Sequence, residues 1–262
     1  MLTPTVLWHC QAHYFGSLDE YQVCIYDNRG GGRSSVNLRP YTAGLLARDA
    51  SRLLDHLGWT REVHLVGLSL GGMVAQKLML RAPERFESVA FISTYHSSLF
   101  AMPTLQDLGF FVKMFLFGDR SILPSFLRIT FAKKWLAAEF EKDAGVTNYQ
   151  LLNQALKRAM ADRPNRSFPT KRLGSFAQLS AAVLHNLSAS DLKKVRERNP
   201  ALRLLVFGGT NDKVVRYGCA VALARILKCP LVTFHGTGHL LNIDQRDKLN
   251  VMLHAHFENI AP

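Results

Sequence analysis

An open, mainly parallel α/β sheet with helices on both faces and a helical insertion is the fold this sequence predicts, on three observations. Short apolar runs recur at Val23 to Tyr26, Val63 to Val66, Val89 to Ser93, Leu202 to Phe207 and Leu231 to Phe234. They lack the alternation of half-exposed strands and read as strands buried on both faces, with helix-period segments between them. Finally, 262 residues of which 48% are hydrophobic can bury one sizeable core, which suits a single α/β domain carrying an insertion.

The elements follow in order. Between the first two runs, Leu45, Leu46, Asp49, Leu53, Leu54 and Leu57 keep a helical period that stops at Gly58. Arg216 to Leu227 and Asp244 to Phe257 read as two further helices, the second closing the domain. From about Ser97 to about Ala189 the rhythm breaks: aromatic-rich stretches at helical spacing (Phe110, Phe111, Met114, Phe115, Phe117, then Phe126, Phe131, Trp135 and Phe140) appear without a clear strand. An insertion between two strands lands at the carboxyl edge of the sheet, where open α/β folds keep their ligands. The expected division is residues 1–96 and 190–262 for the core and 97–189 for a helical cap.

Charge and cysteines bound the partners. The net charge of +12 is not arranged as a helix stripe interleaved with aromatics, so a solvated basic surface is expected and no nucleic acid. Between Ala101 and Ser190, twelve Lys and Arg stand against six Asp and Glu, a surplus that could attract an acidic substrate or associate weakly with an anionic membrane surface. Cys10, Cys24, Cys219 and Cys229 lack metal or CxxC spacing, and Cys24 falls in an expected buried strand; they read as reduced thiols of an intracellular, cytoplasmic protein. No metal or cofactor is expected. No segment has the length of a bilayer span, and Met1-Leu2-Thr3-Pro4 does not resemble a leader.

The chemistry concentrates at Val63-His64-Leu65-Val66-Gly67-Leu68-Ser69-Leu70-Gly71-Gly72-Met73, an apolar strand entering Gly-x-Ser-x-Gly and then a helix. Such a turn raises a serine to its apex with the hydroxyl exposed, and Gly67 and Gly71 are expected to lack the Cβ atoms that would collide where strand and helix nearly touch. The helix opening at Leu70 aims free N–H groups at a developing oxyanion. A serine needs a base, and the base an orienting acid. Asp212 lies on the loop Gly208-Gly209-Thr210-Asn211-Asp212 after one apolar run, and His239 on His235-Gly236-Thr237-Gly238-His239 after the next. Both loops would face the same sheet edge as Ser69.

These motifs resemble those of the α/β-hydrolase superfamily, in its branch of capped serine hydrolases, over nearly everything from Tyr21 onward. Asp27-Asn28-Arg29-Gly30-Gly31-Gly32-Arg33-Ser34 is similar to the family's Asp-x-Arg-Gly-x-Gly-x-Ser loop, and Pro83-Glu84-Arg85-Phe86 to the boundary after its nucleophile helix. The resemblance implies Ser69 as nucleophile, His239 as general base, Asp212 as acid and the Leu70 N–H as one oxyanion donor. Other candidates weigh less: Asp27 is expected to stabilise its own turn, His235 lies at a strand end, and His254 and His256 sit in the last helix.

The N-terminus departs from the family and reads as shortened, leaving little room for its first strands and its His-Gly loop. Thr5 to Cys10 could be the family's third strand with Cys10 replacing the loop glycine, which would make Cys10 a second oxyanion donor. Alternatively Trp8-His9-Cys10-Gln11 matches the Trp-x-x-Gln that opens the first helix, and the spacing from Trp8 to Asp27 favours this alignment. Implied overall is a hydrolase of an ester or related acyl bond acting on a small-molecule or lipid-like substrate with a hydrophobic acyl portion. A C–C bond or enol-lactone hydrolase, and a catalytically poor homologue acting as a binding protein, are the alternatives.

Overall fold

The computed structural model describes residues 5–37, 39–99, 119–140, 145–161 and 168–260. The aromatic stretch from Phe110 to Phe117 lies outside them. Four strands, β1 (Val63–Leu68), β2 (Phe86–Ile92), β3 (Arg203–Gly209) and β4 (Leu231–Phe234), form one sheet in the order β1-β2-β3-β4. Every pairing is parallel, from Val63↔Phe86 at one end to Gly209↔Phe234 at the other.

Parallel strands need crossovers, and the helices that supply them cover both faces. Alternate residues of β2 show the division. Val89 and Phe91 face a cluster with Leu46 of α2 (Ala43–His56), Met73 and Leu78 of α3 (Leu70–Arg81) and Leu192 of an α-helix at Ala189–Arg198. Ala90 and Ile92 face the other, with Phe15 of α1 (His9–Gly16) and Leu253 and Phe257 of the helix at Arg246–Phe257. That last helix begins at Arg246 rather than Asp244, because Leu241–Asp244 forms a separate turn.

Between β2 and β3 the described residues are helical: α4 (Asp119–Thr130), α5 (Lys133–Ala137), α6 (Asn148–Ala161) and α7 (Phe168–Val183). An isolated antiparallel bridge, Ser97↔Asn186, closes the neck of this insertion. Leu123, Leu127, Phe131, Leu136 and Leu156 give it a small core, which is anchored on Leu240 beside His239. Two close approaches tie it to the rest. A Cβ on Gly174 would stand 2.3 Å from the Gly30 carbonyl oxygen, and Gln178 Nε2 donates to the Arg29 carbonyl at 3.0 Å.

The N-terminal region corrects two expectations. Val23 to Tyr26 is not a strand, and Val23, Ile25 and Tyr26 are 42%, 36% and 38% exposed, with Cys24 exposed beside them. Among the described residues no backbone hydrogen bond joins residues 22–26 to a neighbouring strand, and they line the same cavity as β1. An apolar run becomes a strand only where a partner meets its N–H and C=O groups. Thr5–Trp8 is a 3₁₀ turn leading directly into α1, so Thr5 to Cys10 is helical and the Trp8-x-x-Gln11 alignment fits. Gln11 Nε2 then donates to the Asn242 carbonyl at 3.0 Å and to Asn250 Oδ1 at 2.9 Å, fastening α1 to the C-terminal region.

The four cysteines are all free. Among the described residues, no helix is long and apolar enough to cross a membrane, and no group of three or more His, Cys, Asp or Glu could hold a metal ion.

Candidate active site

Ser69 links β1 to α3 with φ 54° and ψ −119°, a left-handed conformation that a residue with a side chain rarely adopts. Its surroundings hold it there. Its N–H donates to the Ile92 carbonyl at 2.9 Å, and its own carbonyl accepts from Thr94 Oγ1 at 2.8 Å and from the Met73 N–H at 3.2 Å. The close approach behind the turn needs Gly67, where a Cβ would come 2.5 Å from the Gly71 carbonyl oxygen. It does not need Gly71 to be glycine, since a Cβ there would meet nothing within 4 Å. The second obligatory glycine is Gly72, whose Cβ would stand 2.6 Å from the Thr94 side chain. Because α3 starts directly after Ser69, the N–H groups of Leu70, Gly71 and Gly72 have no backbone acceptor among the described residues. They are the free N–H groups expected where a helix opens directly after Ser69.

Asp212 and His239 meet as expected. His239 Nδ1 lies 2.8 Å from Asp212 Oδ2, with both side chains almost fully buried. The other carboxylate oxygen, Oδ1, accepts from the Val214 and Val215 N–H groups at 2.8 Å each, which fixes the carboxylate plane. A carboxylate only accepts, so Nδ1 carries the proton and Nε2 keeps its lone pair. The insertion sets the histidine loop: the Thr130 carbonyl, at the end of α4, accepts from the His239 N–H at 2.7 Å. A Cβ on Gly238 would lie 2.4 Å from that same oxygen, so the loop and α4 pack backbone to backbone.

Behind the histidine loop sits Asp244. Burial pushes its carboxyl up to about 7, the nearby Gly238 N–H opposes this in part, and Oδ1 has no hydrogen-bond partner. Thr94, Thr130, Gly72 and Asp244 were not singled out by sequence reasoning, since each acts through a tertiary approach that no local motif records.

Ser69, Leu70 and His239 line one cavity of about 920 Å³, which also touches Tyr95 and Thr130. No hydrogen bond among the described residues joins the Ser69 hydroxyl to His239. Cys10 lies in the first turn of α1 and does not line the cavity, although Trp8 and Gln11 do. Asp27 folds its own loop, accepting from the Arg33 N–H at 2.9 Å and the Thr5 N–H at 3.1 Å. His235 is exposed. His254 Nδ1 meets the Tyr14 hydroxyl at 3.3 Å, and His256 is held by burial down at about 4.

Comparison with known proteins agrees with this architecture. Over 92 residues the chain is 40% identical to 3-oxoadipate enol-lactonase 2 of Acinetobacter baylyi, covering 35% of this chain and 33% of that protein. It is 26% identical over 242 residues to the dihydrolipoyllysine-residue acetyltransferase component of the acetoin cleaving system of Cupriavidus necator, covering 91% of this chain and 57% of that one. The matched region thus spans a third to just over half the length of these relatives. Among solved structures, the enol-lactonase of Burkholderia xenovorans superposes with a TM-score of 0.78 at 21% identity, over 98% of this chain and 88% of that one. A hydrolase of Pseudomonas aeruginosa gives 0.74 at 24% identity, over 98% and 86%. The model of the alpha/beta hydrolase fold matches residues 5–245, nearly the whole length described, and the chain belongs to that family.

Proposed function

We propose that the chain is a serine hydrolase that cleaves an ester or related acyl bond through an acyl-enzyme, with residues 97–189 acting as its cap. The observation that carries this reading is the buried Asp212–His239 pair at 2.8 Å, its carboxylate clamped by two amides, with His239 lining the same cavity as a serine held at φ 54°. No structural need accounts for burying such a pair beside a strained serine.

In this mechanism Ser69 Oγ attacks the acyl carbonyl while its proton passes to His239 Nε2. Negative charge gathers on the carbonyl oxygen, where the Leu70 N–H donates to it. Asp212 stabilises the imidazolium and keeps its tautomer. His239 then protonates the departing alcohol, and water, deprotonated by the same nitrogen, releases the acid and restores Ser69 Oγ–H. The substrate is a small molecule with an apolar acyl portion, in keeping with the leucines and aromatics of the cavity wall. Enol-lactone cleavage is the second reading, favoured by the local 40% identity to 3-oxoadipate enol-lactonase 2.

The test is labelling by a fluorophosphonate probe, followed by a panel of p-nitrophenyl esters and enol lactones. Labelling of the wild type but not of Ser69→Ala is expected. Absence of labelling in the wild type would leave a binding protein.

A further inference from the structure

The proposed acid and base are held by different parts of the molecule. Asp212 belongs to the core: its N–H donates to the Gly209 carbonyl at the end of β3, at 3.3 Å, and its Oδ1 is met by Val214 and by Val215, which is buried in the cluster that covers β2. His239 is held otherwise. Its loop is tied to the core as far as Thr237, whose carbonyl accepts the Asn211 N–H at 3.0 Å. Beyond that residue the partners change. The N–H groups of His239 and Leu240 both take the Thr130 carbonyl, at 2.7 and 3.4 Å, and the Leu240 side chain packs with Leu123, Leu127, Phe131 and Leu136 of the insertion. Among the described residues the His239 main chain makes no hydrogen bond to the core. Its ring reaches across, with Nδ1 2.8 Å from Asp212 Oδ2.

Thr130 is built for this contact. It ends α4, where a carbonyl has no partner within the helix, and with the residue only 2% exposed that partner comes from inside the fold. Its Oγ1 donates back to the Phe126 carbonyl at 2.8 Å, a bond that fixes the side chain and bends a helix end. On the other side, a Cβ at Gly238 would lie 2.4 Å from the Thr130 oxygen and 3.0 Å from Phe131 Cα. The contact is main chain against main chain, so a shift of α4 carries the His239 backbone with it.

We propose that Thr130 is a positioning residue: the seat of α4 on the histidine loop decides whether the His239 ring meets Asp212 and keeps its proton on Nδ1. The proposal rests on the reading of His239 as the base, and it gives the insertion a task beyond covering the cavity. Hydrogen bonds tolerate little displacement, and misplacing a reacting group by ~1 Å can cost about 10²-fold in rate. Phe126 and Ile129, on the last turn of α4, line the same cavity as Ser69. What fills the cavity therefore bears on the helix that sets the base.

Two measurements on the full chain test this without turnover. In the wild type, hydrogen exchange should open the His239 and Leu240 amides together with that of Phe131 in the insertion. Exchange of His239 in step with the Val215 amide and apart from Phe131 would overturn the assignment. The second measurement reads the tautomer of His239 from the ring nitrogens of isotopically labelled protein. The wild type should hold the Nδ1–H form, Thr130→Val, which keeps the shape and loses the back-bond, should mix both forms, and Thr130→Ser, which keeps the hydroxyl, should restore one. On esters, Thr130→Val should lower kcat at least about tenfold with KM within about twofold, and Thr130→Ser should recover most of the loss. A wild-type tautomer in Thr130→Val, or a serine variant as impaired as the valine one, would also overturn the assignment. Should the wild type neither hydrolyse esters nor take the fluorophosphonate, the chemistry at Ser69 falls, while exchange and tautomer still decide the role of Thr130.

Discussion

The two ends of the sheet are finished to different degrees. At the β3–β4 end, the Asp212 carboxylate has three hydrogen-bond partners and His239 is held through its side chain and its main chain at once. At the β1 end, a strand with the composition of a sheet centre lies at the edge among the described residues, and residues 22–26, which line the cavity beside it, carry no regular secondary structure. The difference teaches that two requirements of this site are separable. The Asp212–His239 pair, an acid and a base on the proposed reading, is oriented by loops leaving neighbouring strands. Ser69, the proposed nucleophile, instead follows the strand at the sheet's edge.

The comparison breaks most sharply at Ser69. Ser69→Ala should abolish fluorophosphonate labelling and lower ester turnover by about 10⁶-fold while leaving the melting temperature close to that of the wild type. Retained labelling would mean that the well-built Asp212–His239 pair serves some other nucleophile. Next in size, Asp212→Asn should cost about 10⁴-fold in kcat by favouring the wrong tautomer of His239. Combined with His239→Ala it should cost little more than the single change, because the two act as a unit. Additive losses in steady-state kinetics would separate them.

How far the site was legible follows from these residues. Ser69, Asp212 and His239, the proposed site, stood out because each lies on the turn or loop that follows an apolar strand, and a strand end defines a place as well as a residue type. Val63 to Leu68 and Leu231 to Phe234 were readable for the same reason. Val23 to Tyr26 was misread because a short apolar run records the wish for burial, not whether a partner strand is there to meet its backbone. The role given to Gly71 belongs to Gly72, since the Thr94 side chain that forbids a Cβ comes from the loop after β2, twenty-two positions along the chain. Thr130 was invisible as well: its carbonyl matters only because α4 packs on the histidine loop.

The glycines sharpen the comparison at the nucleophile's end. Gly67→Ala must push β1 and α3 apart and should cost about 1–3 kcal/mol in chemical denaturation, with turnover falling in step. Gly71→Ala, with open space around its Cβ, should be neutral or gain about 0.5–1 kcal/mol from the helix. Equal losses at both positions would mean that the turn is looser than the 2.5 Å approach implies.

The smallest effect probes a buried carboxyl at the β3–β4 end, one oxygen of which has no hydrogen-bond partner. Asp244 is held up at about 7 by burial, far above the range of a carboxylate in an unfolded chain, about 3.9. Between those values the folded state binds a proton that the unfolded state has released, so this group's contribution falls as pH rises from about 4 to about 7 and stays low above that. His185 and His256, held by burial at about 3 and about 4, act oppositely, losing stability as pH falls below about 6.5. Asp244→Asn mimics the protonated acid and removes only the first trend. Below about pH 4 its melting temperature should match the wild type; at pH 8 it should be higher by ~2–4 °C, equivalent to about 1 kcal/mol for a group that is not fully buried. An equal shift at both pH values would show that the amide acts through packing, and that the histidine loop does not rest on an ionisable carboxyl.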